Sequence, residues 1–228
     1  MSVSENFNAV MDRIASATKR AGRDPSSVRL VVVTKTVGHD RISEAVSAGA
    51  AVLGENRVQE AKEKIEALGK IASWHLIGHL QTNKAKYAVK LFELIHSVDN
   101  IELAAEIDKQ AAKIGKVQDI LVEVNIAGET AKAGVVITGA PGLVREAAKL
   151  RNISVKGLMT MPPYSENPED SRPYFKKLRE LAEVIAKENI PNVSMQELSM
   201  GMSGDFEVAV EEGATLVRVG TAIFGSRS

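Results

Sequence analysis

Short apolar segments alternate along this chain with longer segments of helical periodicity. The segments between the apolar runs repeat apolar residues at helical spacing, as in Phe175, Leu178, Ala182 and Ile185. A leading helix is predicted from about residue 4 to 21, with Phe7, Val10, Met11, Ile14 and Ala17 on its apolar face. Eight apolar runs predict strands at 30–34, 51–53, 74–77, 94–96, 120–124, 155–158, 195–198 and 216–219.

This order of elements predicts an α/β protein, because a helix between two strands returns the chain for parallel pairing. Eight such units in 228 residues predict a single (β/α)8 TIM barrel over residues 1–228, with the extra helix at its N-terminus. An open doubly wound sheet is the alternative. The segment that contains Pro162, Pro163 and Pro168 is interpreted as a loop rather than a domain boundary.

Composition excludes several classes of protein. Lys and Arg number 29 and Asp and Glu also number 29, so no overall field attracts nucleic acid or anionic lipid. The absence of cysteine excludes disulfides, a thiolate nucleophile and cysteine metal ligands. No run approaches the roughly 18 apolar residues of a membrane span, and residues 1–5 do not resemble a signal peptide. We therefore expect a cytoplasmic protein without a membrane segment.

Lys35 is the candidate for covalent chemistry. It directly follows the apolar run 30–34, so its amine is expected at the mouth of a buried strand. Partial burial lowers the pKa of a lysine and supplies the neutral amine that forms a Schiff base with a carbonyl group. On position alone, a lysine that reaches solvent or pairs with a carboxylate is an equally good interpretation.

Polar and small residues follow the other predicted strands, at the end of a barrel where chemistry is located. The loops after strands seven and eight, 199–204 and 220–221, carry the glycine and hydroxyl residues that suit a phosphate group. Together with Lys35, they predict a phosphate-bearing aldehyde as the ligand. Other polar residues on this rim are Glu55, Asn56, Arg57, His75, His79, Ser97, Asp99, Asn125, Thr160 and Arg218.

Seven motifs in this chain resemble those of the pyridoxal phosphate homeostasis proteins, also called proline synthetase co-transcribed homologues. That family has a fold like the barrel domain of alanine racemase, and the resemblance covers nearly the whole chain. The motifs lie at 33–36, 54–60, 74–84, 96–99, 157–162, 198–203 and 217–225.

The resemblance implies a protein of vitamin B6 homeostasis that holds pyridoxal 5′-phosphate (PLP) reversibly and passes it to apo-enzymes. Lys35 would form the Schiff base, Arg218 would face the pyridine nitrogen, and Asn56 and His75 would line the site near the ring. The phosphate would lie on Ser199, Met200, Ser203, Gly220 and Thr221. A permanently charged arginine disfavours protonation of the ring nitrogen, so carbanion chemistry is not strongly promoted.

Two enzymatic alternatives remain open. An amino-acid racemase needs a base on each face of the substrate carbon; Lys35 could serve on one face, and Tyr164, after strand six, is the one tyrosine expected on the catalytic rim. The predicted strands take up the chain to Val219, so we expect no second domain of the racemase type. A barrel aldolase would use Lys35 as a substrate Schiff base, with Asp99 or Glu55 as its acid–base partner.

Three further expectations concern the role of Lys132, the binding of a metal and the oligomeric state. Lys132 matches the family pattern after strand five and is a second aldehyde contact, part of a transfer route, or a solvated loop lysine. The four histidines lack the spacing of a metal site, so we expect no metal. A monomer is expected, since the barrel completes its own core.

Overall fold

The computed structural model describes residues 2–129 and 132–225. Within these residues, eight parallel strands close into a barrel in the order β1-β2-β3-β4-β5-β7-β8-β9, and β9 pairs with β1. A short ninth strand, β6, pairs with the end of β5. The strands are β1 Arg29–Val33, β2 Val52–Glu55, β3 Ser73–Leu76, β4 Leu94–Val98, β5 Gln118–Asn125, β6 Val135–Val136, β7 Ile153–Met159, β8 Val193–Ser199 and β9 Leu216–Val219. The predicted barrel is thus confirmed.

Helices surround the barrel and connect its strands. They are α1 Val3–Arg20, α2 His39–Ser47, α3 Val58–Leu68, α4 Ala85–Leu91, α5 Ile101–Ala112, α6 Ala140–Ala147, α7 Arg172–Ala186, α8 Phe206–Glu211 and α9 Thr221–Phe224. Short 3-10 turns lie at Pro25–Ser27, Thr82–Lys84 and Pro168–Ser171. None of the helices in the described ranges is both long and apolar enough to cross a membrane.

The N-terminal helix α1 begins at a capping box, in which Ser2 and Glu5 satisfy each other's backbone amides. Its buried face packs against α2, α8 and α9, so it closes over the helices that flank β9 and β1. Met11 is 38 % exposed, which makes the buried face narrower than the sequence predicts.

The strands bury both of their faces. Residues that point outward pack under the helices in the larger core, whereas those that point inward fill the barrel. The inward apolar residues include Val31, Val52, Leu94, Leu121 and Leu216. Two residues further along β4, β5 and β9, the inward positions are taken by the polar residues His96, Glu123 and Arg218, which lie towards the C-terminal ends of these strands.

Gly157 allows β7 and β8 to approach closely near the middle of the barrel. Its φ is +159°, and a Cβ atom there would lie 1.8 Å from the carbonyl oxygen of Glu197. The register between these strands shifts at the same place. A side chain at this position would therefore separate the two strands that lead to Thr160 and Ser199.

Candidate functional site

A cleft of about 770 Å³ opens at the C-terminal end of the barrel. Six of the residues predicted for the site line it: Lys35, Asn56, Ser203, Arg218, Gly220 and Thr221. They come from the ends of four different strands, so closure of the barrel is what brings them together. His75, Ser199 and Met200 do not line the cleft, and all three are buried beneath it.

Lys35 lies in a tight turn directly after β1. The amide of Val37 donates to the carbonyl oxygen of Thr34 at 2.9 Å, which places Lys35 and Thr36 at the two central positions of the turn. Thr36 has a φ of +63°, a conformation that favours glycine or asparagine and is costly for a β-branched residue. The half-buried Lys35 side chain faces the cleft from this turn.

Arg218 is the buried cation of the site. It is 3 % exposed and points inward from β9 at the level of the cleft floor. One guanidinium nitrogen donates to the carbonyl oxygen of Thr160 at 2.9 Å, and another donates to Ser199 Oγ at 2.5 Å. Burial lowers the pKa of Arg218 to about 10, so the side chain remains charged at neutral pH.

Two histidines continue the hydrogen bonds of Arg218 into the barrel. Ser199 Oγ lies 2.9 Å from His96 Nδ1, and His96 Nε2 lies 3.0 Å from His75 Nδ1. Burial lowers the pKa of His75 to about 3 and that of His96 well below its usual value. Both rings are therefore neutral at physiological pH, and Arg218 keeps the positive charge of this chain of hydrogen bonds.

Glu123 was not predicted as a site residue, although it lies inward on β5 at the same level. Burial raises the pKa of its carboxyl to about 7, with a further upward contribution from Asp99 and an opposing one from Arg218. The only signal in the sequence is an acidic residue within the apolar run 120–124. His96, Glu123, Ser199 and Arg218, with His75 beneath them, form what we call the inner polar layer.

Small residues shape the opposite wall of the cleft, after β8 and β9. A Cβ atom on Gly201, whose φ is +90°, would lie 2.5 Å from Ala209 Cβ. Ser203 Oγ accepts a hydrogen bond from the amide of Ala222 at 3.3 Å, which leaves its hydroxyl proton available to a ligand. Thr221 begins α9, and the first amides of a helix have no acceptor within the helix. These donors suit an anion.

Met200 and His75 occupy different places from those predicted. The Met200 amide donates to the Leu216 carbonyl oxygen at 3.1 Å. This hydrogen bond links the end of β8 to β9, so the amide is not available to a phosphate. His75 lies inward on β3 but one layer below the cleft floor, where its ring contacts His96. Sequence spacing predicts which strand end carries a residue, but not the depth of that residue within the barrel.

Other candidates from the sequence lie away from the cleft or on its edge. Glu55 is fully buried and bonds to Lys64 on the outer side of the barrel. Lys132 Nζ lies 3.0 Å from Glu129 Oε1 and does not line the cleft. Tyr164 lines the cleft, yet it is 88 % exposed. Among residues 2–129 and 132–225, no group of acidic or histidine side chains is arranged to hold a metal ion.

Comparison with known proteins identifies the family. The family model for the alanine racemase N-terminal domain matches residues 6–228. A pyridoxal phosphate homeostasis protein from Aquifex aeolicus is 50 % identical over 228 residues, which cover 100 % of this chain and 99 % of that protein. The chain belongs to the pyridoxal phosphate homeostasis protein family. The resemblance inferred from the seven motifs is confirmed.

Solved structures support this assignment. PipY of Synechococcus elongatus, solved with PLP bound, has a TM-score of 0.82 and 36 % identity, and the match covers 95 % of this chain and 100 % of PipY. Alanine racemase from Clostridium difficile has a TM-score of 0.76 at 13 % identity, over 98 % of this chain and 57 % of the racemase. The racemase match shows that the two proteins share the barrel fold.

Proposed function

We propose that this member of the homeostasis family binds PLP reversibly, as a Schiff base on Lys35, and thereby limits the concentration of the free aldehyde. The observation that carries the proposal is that a lysine, a buried arginine and loops rich in glycine and hydroxyl residues line one cleft. PLP has an aldehyde, a pyridine ring and a phosphate, and these three groups match that set of side chains and amides. The PLP-bound structure of the relative PipY supports the same ligand.

Lys35 is the nucleophile in this proposal. Its neutral amine attacks the aldehyde carbon, a C=N bond forms, and the aldehyde oxygen leaves as water. The reverse reaction, hydrolysis, releases the aldehyde and regenerates the amine. A cleft that is open to water permits this reversal.

The residues of the opposite wall would hold the phosphate. Ser203 has a free hydroxyl proton, and Thr221 contributes an amide at the beginning of α9. Gly220 keeps the chain close to β1, since a Cβ atom there would lie 3.1 Å from Val33. Ser199 would act indirectly, because its hydroxyl is already bonded to Arg218 and His96.

Arg218 would face the pyridine nitrogen, and Asn56 would lie beside the ring. Because Arg218 is positively charged at neutral pH, it would donate a hydrogen bond to this nitrogen and disfavour its protonation. When bound, PLP supplies an electron sink for carbanions, and that sink is weaker with an unprotonated ring. This environment favours storage of the cofactor over strong catalysis.

Amino-acid racemization is the second candidate function, because Tyr164 lines the cleft as a racemase base would. At 88 % exposure, its hydroxyl is not fixed by packing, whereas an effective base must be held within hydrogen-bond reach of the proton that it removes. Robust turnover of an amino acid that is lost in both Lys35→Ala and Tyr164→Phe would establish the racemase and overturn the storage role.

Three parts of the proposal extend beyond the cleft itself. Delivery of PLP to apo-enzymes would follow from reversible release. The cytoplasmic location and the monomeric state stay predictions from the sequence. Transfer is measured by mixing the PLP-loaded protein with a PLP-free transaminase and comparing the rate of reactivation with that produced by free PLP at the same concentration.

A visible absorbance titration of the cofactor-free protein with PLP tests the binding site. We expect one equivalent of PLP to produce the absorption band of a protonated Schiff base, and Lys35→Ala to abolish it. Lys132→Ala is the matched control, since Lys132 lies outside the cleft and pairs with Glu129. An unchanged band in Lys35→Ala would contradict the proposal.

A further inference from the structure

A second polar cluster lies on the outer side of the barrel, behind the turn that carries Lys35. Lys64 of α3 is 4 % exposed, and Glu55 at the end of β2 is fully buried. Lys64 Nζ donates to Glu55 Oε1 at 2.6 Å, to Glu60 Oε1 at 2.7 Å and to the Thr34 carbonyl oxygen at 2.6 Å. We call Thr34, Glu55, Glu60 and Lys64 the outer cluster.

The outer cluster holds the backbone on both sides of Lys35. On the N-terminal side, Lys64 binds the carbonyl oxygen of Thr34, and the Thr34 hydroxyl donates to Glu55 Oε1 at 2.6 Å. On the C-terminal side, the Thr36 amide donates to Glu60 Oε1 at 2.5 Å. The peptide groups that flank Lys35 are thus both bonded to charged side chains.

The conformation of Thr36 explains why such bonds are needed. Its φ of +63° costs a β-branched residue on the order of 1–3 kcal/mol, so the turn persists only where neighbouring groups determine it. The carboxylate of Glu60 is placed to do this, because it accepts the amide proton of Thr36 itself. Lys64 in turn fixes that carboxylate from the same helix, one turn away.

The charges of the outer cluster fit this role. Burial acts to raise the pKa of Glu60, but the hydrogen bonds from Lys64 and Thr36 outweigh it and lower the pKa below its usual value. Glu60 is therefore an anion at neutral pH. Charged acceptors make stronger hydrogen bonds than neutral ones.

We propose that Glu60 and Lys64 are positioning residues that hold the strained turn after β1 and so aim the amine of Lys35 into the cleft. Neither residue lines the cleft, so both act through the backbone of the turn. The effect on PLP affinity rests on the proposed function, whereas the effect on the turn does not. The inference also gives a role to Glu60, which lies in the motif 54–60 without a place in the site itself.

Two variants of Glu60 test the inference without removing the buried Lys64. Glu60→Ala loses the acceptor of Thr36, so we expect PLP affinity to fall about tenfold or more, as the loss of a hydrogen bond to a charged group predicts. Glu60→Gln retains a carbonyl oxygen at this place, and we expect it to stay within about threefold of the parent protein. Glu66→Ala is the matched control, because Glu66 lies on the same helix and pairs with the exposed Lys62.

Hydrogen exchange of the Thr36 amide in the cofactor-free protein supplies a second readout. We expect faster exchange in Glu60→Ala, near-parental exchange in Glu60→Gln and no change in Glu66→Ala. Unchanged exchange and unchanged PLP affinity in Glu60→Ala would overturn the inference, and so would equal losses in Glu60→Ala and Glu66→Ala. If the parent protein forms no Schiff base on Lys35, the proposed function fails, and amide exchange still decides whether Glu60 holds the turn.

Discussion

The inner polar layer is buried, and so is the outer cluster apart from the partly exposed Glu60, yet the two groups hold their charges in different ways. The outer cluster joins Lys64 to two carboxylates by hydrogen bonds of 2.6 and 2.7 Å. In the inner polar layer, Arg218 donates to neutral acceptors, a hydroxyl and a carbonyl oxygen, while the charge of Glu123 acts to raise the pKa of Arg218. In the outer cluster the cation is paired with carboxylates, whereas in the inner polar layer the cation, Arg218, faces the cleft.

This difference in pairing suits the two groups to different roles, in which the outer cluster supports the backbone around Lys35 and the inner polar layer recognises the ligand. A buried cation that is paired with nearby carboxylates attracts an anionic ligand only weakly, because their charges cancel its own. The outer cluster instead forms hydrogen bonds with backbone groups on both sides of Lys35. Arg218 lines the cleft and keeps its charge, at the cost of burial that lowers its pKa to about 10. Changes in the outer cluster should thus act on stability and, through the backbone around Lys35, indirectly on the ligand, whereas changes in the inner layer should act on the ligand directly as well as on stability.

Loss of the buried cation of the outer cluster should have the largest effect. Lys64→Met leaves Glu55 buried without its cation, and breaking such a pair costs about 3–5 kcal/mol in the free energy of unfolding. Urea denaturation measures this loss. Adding Glu55→Gln removes the stranded charge, so the double variant should recover part of the stability. A double variant that is less stable than Lys64→Met would contradict the pairing.

Glu123→Gln should stabilise the protein at high pH. Since the pKa of Glu123 is raised from 4.5 to about 7, its contribution to stability is complete below pH 4.5 and is lost as the pH rises through 7. The neutral variant escapes this loss and should be more stable than the parent by roughly 3 kcal/mol at pH 8. Denaturation curves at pH 5 and pH 8 test this, because an equal difference at the two pH values would exclude a titrating Glu123.

Ser199→Ala tests the connection between Arg218 and the histidines. It removes the oxygen that accepts from Arg218 and contacts His96, and an unsatisfied buried donor costs about 1–3 kcal/mol. We also expect weaker PLP binding, because one of the two bonds that orient Arg218 is lost. Stability and PLP affinity equal to those of the parent protein would show that Arg218 is positioned without Ser199.

Removal of an exposed ion pair should have the smallest effect, and it provides a reference for the three substitutions of buried residues. Lys149 Nζ lies 2.6 Å from Glu146 Oε1, but both side chains are more than half exposed. Surface pairs of this kind contribute little, because water and salt screen them. Lys149→Ala should leave urea denaturation and PLP affinity within error of the parent. A loss comparable to that of Ser199→Ala would show that burial does not distinguish these clusters.

The sequence predicted the barrel because its strands and helices carry strong local patterns. Each of the eight predicted strands overlaps an observed one, and Lys35, Asn56 and Arg218 were found because strand ends meet on one rim of a barrel. Strand β6 was missed, since two residues are too few to show a period. The strand pattern alone does not identify the cofactor, which was inferred from the match of seven motifs to one family.

The buried polar contacts could not be predicted in the same way. Lys64 lies in a helix rich in charged residues, and such a helix normally exposes its lysines. Only tertiary packing shows that Lys64 reaches Thr34, which is 30 positions away in sequence. The bond between His75 and His96 likewise depends on the stagger of β3 against β4, a property that residue spacing does not contain.

Borohydride reduction followed by peptide mass mapping tests the central claim most directly. The protein is mixed with one equivalent of PLP, the Schiff base is reduced to a stable amine, and the labelled lysine is identified after proteolysis. The account predicts a single label on Lys35, which disappears in Lys35→Ala. Label spread over exposed lysines, or a single label on Lys132, would contradict the assignment of Lys35 as the residue that holds the cofactor.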